Sequence, residues 1–147
     1  MCDVICNILI GLLSGIVSSG IVTIAYDKKT KKIEHERNFN ADKQVYHRYI
    51  LSIRNELFFA YKNNDYENLI RTIENEPIRD SFTNLDDESH KSIGEISNFI
   101  SQMKERILST GYSMKEKDYK IYNGKLFQYS VHALKLEEVK ENGKTDK

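Results

Sequence analysis

The side chains in this chain that could do chemistry are few and scattered. There are four histidines, His35, His47, His90 and His132, and two cysteines, Cys2 and Cys6. A zinc site needs three or four such groups converging on one point with partners that orient them. Here the histidines fall in different segments and no cysteine pair is near them, so they read as solvated or interfacial. His35-Glu36 opens the pattern H-E-x-x-H, but Phe39 stands where the second histidine belongs. Phosphate-cradling glycine loops, dinucleotide fingerprints and the G-x-S-x-G elbow are absent. None of Arg37, Arg48, Arg54, Arg71, Arg79 or Arg106 is followed by a histidine after four to six intervening residues, a pairing that would set a cation and a base beside a phosphate. The carboxylates of Asp86-Asp87-Glu88 suit a helix N-terminus, and Glu137-Glu138 a solvated face. We therefore expect no catalytic, cofactor-binding or metal-binding residue and no enzyme activity; an enzyme without a recognisable motif stands third among the functional readings.

Composition narrows the partners. The 147 residues carry 22 Lys+Arg against 22 Asp+Glu, with pI near 6.9, which excludes a globally basic nucleic-acid binder. No nucleic-acid partner is expected. Nine tyrosines are available to pack with the hydroxyl kept wet, either in a small core or on a partner-facing patch.

The mean hydropathy of -0.57 averages two different stretches. Val4 to Tyr26 is an uncharged run, VICNILIGLLSGIVSSGIVTIAY, bounded by Asp3 and Asp27. At about 1.5 Å per residue this helix would cover roughly 34 Å, enough for a hydrocarbon core of about 30 Å. The spacing predicts a transmembrane helix within an anchor, residues 1–27. A cleaved signal peptide would have a basic leader and a shorter apolar stretch. Lys28, Lys29, Lys31 and Lys32 follow the run, and no Lys or Arg precedes it. The positive-inside rule then places the N-terminus outside and the remainder in the cytoplasm, with these lysines on the inner leaflet. Gly11, Gly15, Ser19 and Thr23 recur every four residues, a small-xxx-small stripe that lets a second span approach closely. Cys2 and Cys6 share a face near the outer leaflet, where an intermolecular disulfide is conceivable.

The remainder reads as helices. Residues 28–38 form a charged juxtamembrane stalk. Phe39, Tyr46, Ile50, Ile53, Leu57 and Ala60 begin a buried stripe. Asn64 and Glu67 have capping-box spacing for a short second helix, with Tyr66, Leu69, Ile70 and Ile73 inward and an end before Pro77. Ile78, Phe82 and Leu85 should pin the following loop. A third helix is expected over 87–109, with Ile93, Ile96, Ile100, Met103 and Ile107 inward, Phe99 and Leu108 widening the stripe and Gly111 as its stop. Ser113 and Glu116 should start a fourth helix over 114–139 carrying Tyr119, Tyr122, Leu126, Tyr129, Ala133 and Leu136. Asn123-Gly124 is also a hairpin-turn signal, but no other strand offers itself as a partner. The expected fold is all-α: one N-terminal transmembrane helix, then a small antiparallel bundle over 39–139 with three long helices and one short, and a frayed tail over 140–147.

These features point to a single-pass cell-membrane protein. It would hold a helical interaction or regulatory module at the inner surface, self-associate, and contact the bilayer and an unidentified cytosolic protein. The alternative is a small membrane-active effector, pore-forming or perturbing, of the phage-lysis or abortive-infection type, oligomerising through its span.

Overall fold

The computed structural model describes residues 2–77, 82–83 and 85–139, with side chains described from residue 23 onward. Among these residues the fold is all-helical, with four helices and no strand: α1 (Cys2–Asn63), α2 (Glu67–Glu74), α3 (Asp87–Ser109) and α4 (Glu116–Ala133). The chain divides into two compact units, Met1–Asn38 and Phe39–Lys147. No helix among the described residues is long and apolar enough to cross a membrane. The helix α1 includes the uncharged run, but the side chains of residues 4–22, Ser19 among them, and the surroundings of Gly11 and Gly15 lie outside what is described; Ile78 and the tail over 140–147 lie outside the described residues altogether. In the first unit every side chain from Thr23 to Asn38 is exposed, Lys28, Lys29, Lys31 and Lys32 included.

The second unit is a helical bundle whose core follows the three-four spacing of its apolar residues. Phe39, Tyr46, Ile50, Ile53, Leu57 and Ala60 of α1 are all buried. Tyr66, Leu69 and Ile73 around α2, Ile96, Ile100, Met103 and Ile107 of α3, and Leu126 and Ala133 of α4 meet them. Phe82 and Leu85 are buried from the loop, with Phe82 edge-on to both Phe39 and Tyr46. Leu108 departs from the expected stripe and is 41% exposed. It follows Ile107, which takes the inward position at 1% exposure, and the 100° step between them turns Leu108 toward the edge of the stripe.

Cross-helix contacts fix the direction of each helix. Lys43, His47, Arg54 and Tyr61 of α1 meet Leu136, Ser130, Asn123 and Tyr119 respectively, so α1 and α4 run antiparallel. Glu137 sits beside Ser89 while Tyr122 and Tyr129 pack on Phe99, so α3 and α4 are antiparallel too.

Two helix starts and one helix end differ from the expectation. Asn64 does not cap α2. It has φ +54 and ends α1, because the Asp65 amide donates to the Ala60 carbonyl at 3.3 Å in a six-to-one closure. Tyr66 occupies the N-cap position without a side-chain bond, and Asp65 before it accepts from the Glu67 amide at 3.2 Å. Ser113 does not cap α4 either: Lys115 occupies the N-cap position without a side-chain bond, and the Ser113 carbonyl accepts from Thr110 Oγ1 at 2.7 Å. Gly111 follows the C-cap residue Thr110 with φ +64, where an L side chain is strained, and the Tyr112 amide closes on Ile107 at 3.0 Å.

The fourth helix stops at Ala133 rather than continuing to 139. Leu134 and Lys135 turn back on Val131 and His132 through tightened last-turn bonds. The chain then extends, buries Leu136 and pairs with the approach to α3: Leu85 and Glu138 form an isolated antiparallel bridge, and the Asp86 amide donates to the Glu137 carbonyl at 3.1 Å. Asn123-Gly124 lies inside helix, which settles the helix-or-hairpin choice.

Candidate interaction surface

Several polar side chains at the bundle interior serve to close its helices. The last carbonyls of a helix lack intrahelical donors. Tyr49 supplies one, its hydroxyl donating to the Ile73 carbonyl of α2 at 2.8 Å. His47 supplies another: its Nδ1 lies 2.7 Å from the Ser130 carbonyl of α4, so Nδ1 carries the proton. Asp86 caps α3 by accepting from the Ser89 amide at 2.8 Å, and Ser89 Oγ accepts from the Glu137 amide at 2.8 Å. The Asp86-Asp87-Glu88 cluster is thus a helix start, as its position suggests.

His35, His90 and His132 are exposed, and His132 lies edge-on to Tyr129. Among the described residues no group of three His, Cys, Asp or Glu could hold a metal ion. Burial pushes the Tyr66, Tyr122 and Tyr129 phenols above the usual tyrosine value, with Tyr61, Asp118 and Glu95 respectively adding to the effect. These tyrosines and Tyr46, Tyr49 and Tyr119 line or flank the core, so most of the tyrosine content is packing. Tyr61 stacks on Tyr119 with ring centroids 4.4 Å apart.

The surface that remains distinctive lies along α1 and α4. Arg54 donates through Nε to Asn123 Oδ1 at 2.8 Å and lays its guanidinium over the Phe127 ring, 5.2 Å from the centroid. Phe58 is 46% exposed and Phe127 53%, and Val131 and Leu134 continue the α4 stripe at 37% each. Arg54, Asn55, Phe58, Phe59, Tyr119 and Asn123 line a groove of about 480 Å³. Arg48 and Lys62 are exposed on the same side of α1, seven residues either side of Asn55. Glu116 is paired with Lys120 at 2.6 Å, which lowers the glutamate and raises the lysine from their ordinary values through the direct bond.

Charge is distributed unevenly over the neutral chain. Residues 39–63 hold four Lys/Arg against two carboxylates, and residues 110–135 hold five against two. The intervening residues 64–109 hold ten carboxylates against five Lys/Arg. A second groove of about 710 Å³ sits on the acidic side, lined by Asp65, Glu67, Glu74, Arg71 and Tyr112 among others. Tyr112 has φ +61, a left-handed conformation that costs a non-glycine residue about 1–2 kcal/mol.

Motif reasoning passed over Arg54, Phe58 and Phe127. Their signal lay in the apolar doublets Leu57-Phe58 and Leu126-Phe127, in each of which the leucine is buried and the phenylalanine exposed. The residues singled out by sequence for membrane work are placed separately: Thr23 and the four lysines are exposed on α1 in the first unit. No family model, curated protein or solved structure shows significant similarity to the chain.

Proposed function

We propose that this chain is a single-pass, membrane-anchored helical interaction protein that holds its bundle at the inner membrane surface and self-associates. The observation that carries the reading is the uncharged run over 4–26, within α1, followed at once by the exposed Lys28, Lys29, Lys31 and Lys32. Such a run is stable in hydrocarbon because a helix satisfies its own backbone, and the lysines favour the cytoplasmic headgroups. A non-enzymatic role is supported by the use of His47, Asp86 and Ser89 in capping and clasping helices. The bundle's partners are a second copy and a cytosolic protein recognised through the α1 and α4 side.

Membrane extraction tests the anchor. Full-length protein should stay in the pellet through alkaline carbonate washing, whereas a chain beginning at residue 28 should be released. Release of the full-length chain would overturn the reading. Self-association through Gly11, Gly15, Ser19 and Thr23 should give a cross-linking ladder in membranes that Gly15→Ile removes. The same stripe supports a second reading, a membrane-active effector assembled from these spans. Rapid depolarisation on induced expression, abolished by Gly15→Ile, would favour that reading over an inert tether.

A further inference from the structure

Resting on the self-association reading, we propose that the α1/α4 face of one copy docks on the acidic α2 groove of the next copy. The two faces are complementary in charge. Arg48, Arg54 and Lys62 lie along α1, and of the two carboxylates in the first turn of α4, Glu116 is engaged by Lys120 and Asp118 is half-buried. The acidic groove is edged by Asp65, Glu67 and Glu74, with Arg71 also in its lining and Lys104 reaching Glu74 at 2.7 Å, so Asp65 and Glu67 carry its excess of negative charge. Phe58 and Phe127 supply the apolar centre that charged rims alone lack; the rim sets orientation and encounter rate, and the buried rings supply affinity.

The geometry also specifies the kind of assembly. The two grooves share no lining residue, so occupying one leaves the other open. A contact between different faces is heterologous and continues from copy to copy as a ring or row, unlike a closed two-fold dimer. Lys62 lies in the last turn of α1 and Asp65 in the connection to α2, so the basic face, which extends along α1 from Arg48, ends beside the acidic groove. Exposed ion pairs are screened by salt, so this contact is salt-sensitive while a span contact in lipid is not.

Isotope-mixed cross-linking of the full chain tests the proposal. Unlabelled and nitrogen-15 chains are solubilised together, reconstituted into one liposome population and treated with a carbodiimide, which joins only amines and carboxylates in direct contact. Mixed-isotope links should join Lys62 or Lys120 to Asp65, Glu67 or Glu74. They should fall several-fold in Arg48→Glu and in Glu67→Lys, which leave the other reporter groups in place, and at about 1 M salt, where the Debye length is about 3 Å. Absence of mixed links, or links indifferent to both variants and to salt, would overturn the docking. If the ladder that depends on Gly15 persists in that case, the self-association reading stands without it; if no ladder forms, both fall. Loss of a co-purifying nucleic acid or other protein in Arg48→Glu, with no mixed links in the wild type, would assign the basic face to a different occupant and overturn the proposal.

Discussion

Gly124 occupies the middle of α4 with a helical backbone, and a methyl group added there meets nothing within 4 Å. Glycine inside a helix costs about 1 kcal/mol relative to alanine, mainly through the freedom it loses on folding. Gly124→Ala should therefore stabilise the bundle by about 0.5–1 kcal/mol, seen as a rise of several degrees in Tm. In an Asn-Gly hairpin the same change would force alanine into a positive φ and lower stability, so a fall in Tm would contradict the helix. Gly111 is the opposite case. Its φ of +64 closes α3, and alanine there is strained even though space is open around it. Two glycines with equally open surroundings thus respond in opposite directions, because backbone conformation decides the sign.

Elements were legible in the sequence wherever an apolar stripe ran unbroken between clear stops. The spacing of Ile96, Ile100, Met103 and Ile107 between Asp86 and Gly111 defines α3 to the residue. The end of α4 was not legible, because Leu136 lies three residues beyond Ala133 and satisfies the helical period whether or not the helix continues. Tertiary bonding decides it: Leu136 is buried from an extended segment whose carbonyl accepts from Lys43 Nζ at 3.2 Å, and Glu137 is clasped to Ser89. Asn64 was ambiguous for a related reason, since asparagine suits both the start of one helix and the left-handed end of another. The clasp makes a direct prediction. Ser89→Ala removes the acceptor for the Glu137 amide, and a part-buried donor left unpaired costs about 1–3 kcal/mol. Hydrogen exchange at Glu137 should accelerate more than at the α3 core amides in that variant, and equal acceleration at both would show that Ser89 acts on the whole bundle rather than on this junction. The α1/α4 surface was hidden by averaging, since the basic stretches 39–63 and 110–135 cancel the acidic stretch between them.

At the scale of the molecule, neutrality conceals two units and two faces. The second unit buries tyrosines from several segments, and this sets its alkaline limit. Because burial holds the Tyr66, Tyr122 and Tyr129 phenols above the ordinary tyrosine value of 10.0, the unfolded chain ionises first as pH rises. The stability they contribute is complete below about pH 10 and is lost as pH climbs through the raised folded values. Thermal unfolding followed from neutral pH to above pH 10 should show Tm falling only at the alkaline end, and an unchanged Tm there would contradict this burial. The first unit carries the central claim, that residues 4–26 cross the membrane and leave the bundle inside. The chain has only two thiols, Cys2 and Cys6, both at the N-terminal end of that run, the end proposed to lie outside. In intact cells a membrane-impermeant maleimide should label the full-length protein through Cys2, while an impermeant amine reagent leaves the bundle lysines such as Lys104 and Lys120 unmodified until the cells are opened. Thiol labelling that requires permeabilisation, or amine labelling of the bundle from outside, would contradict the account.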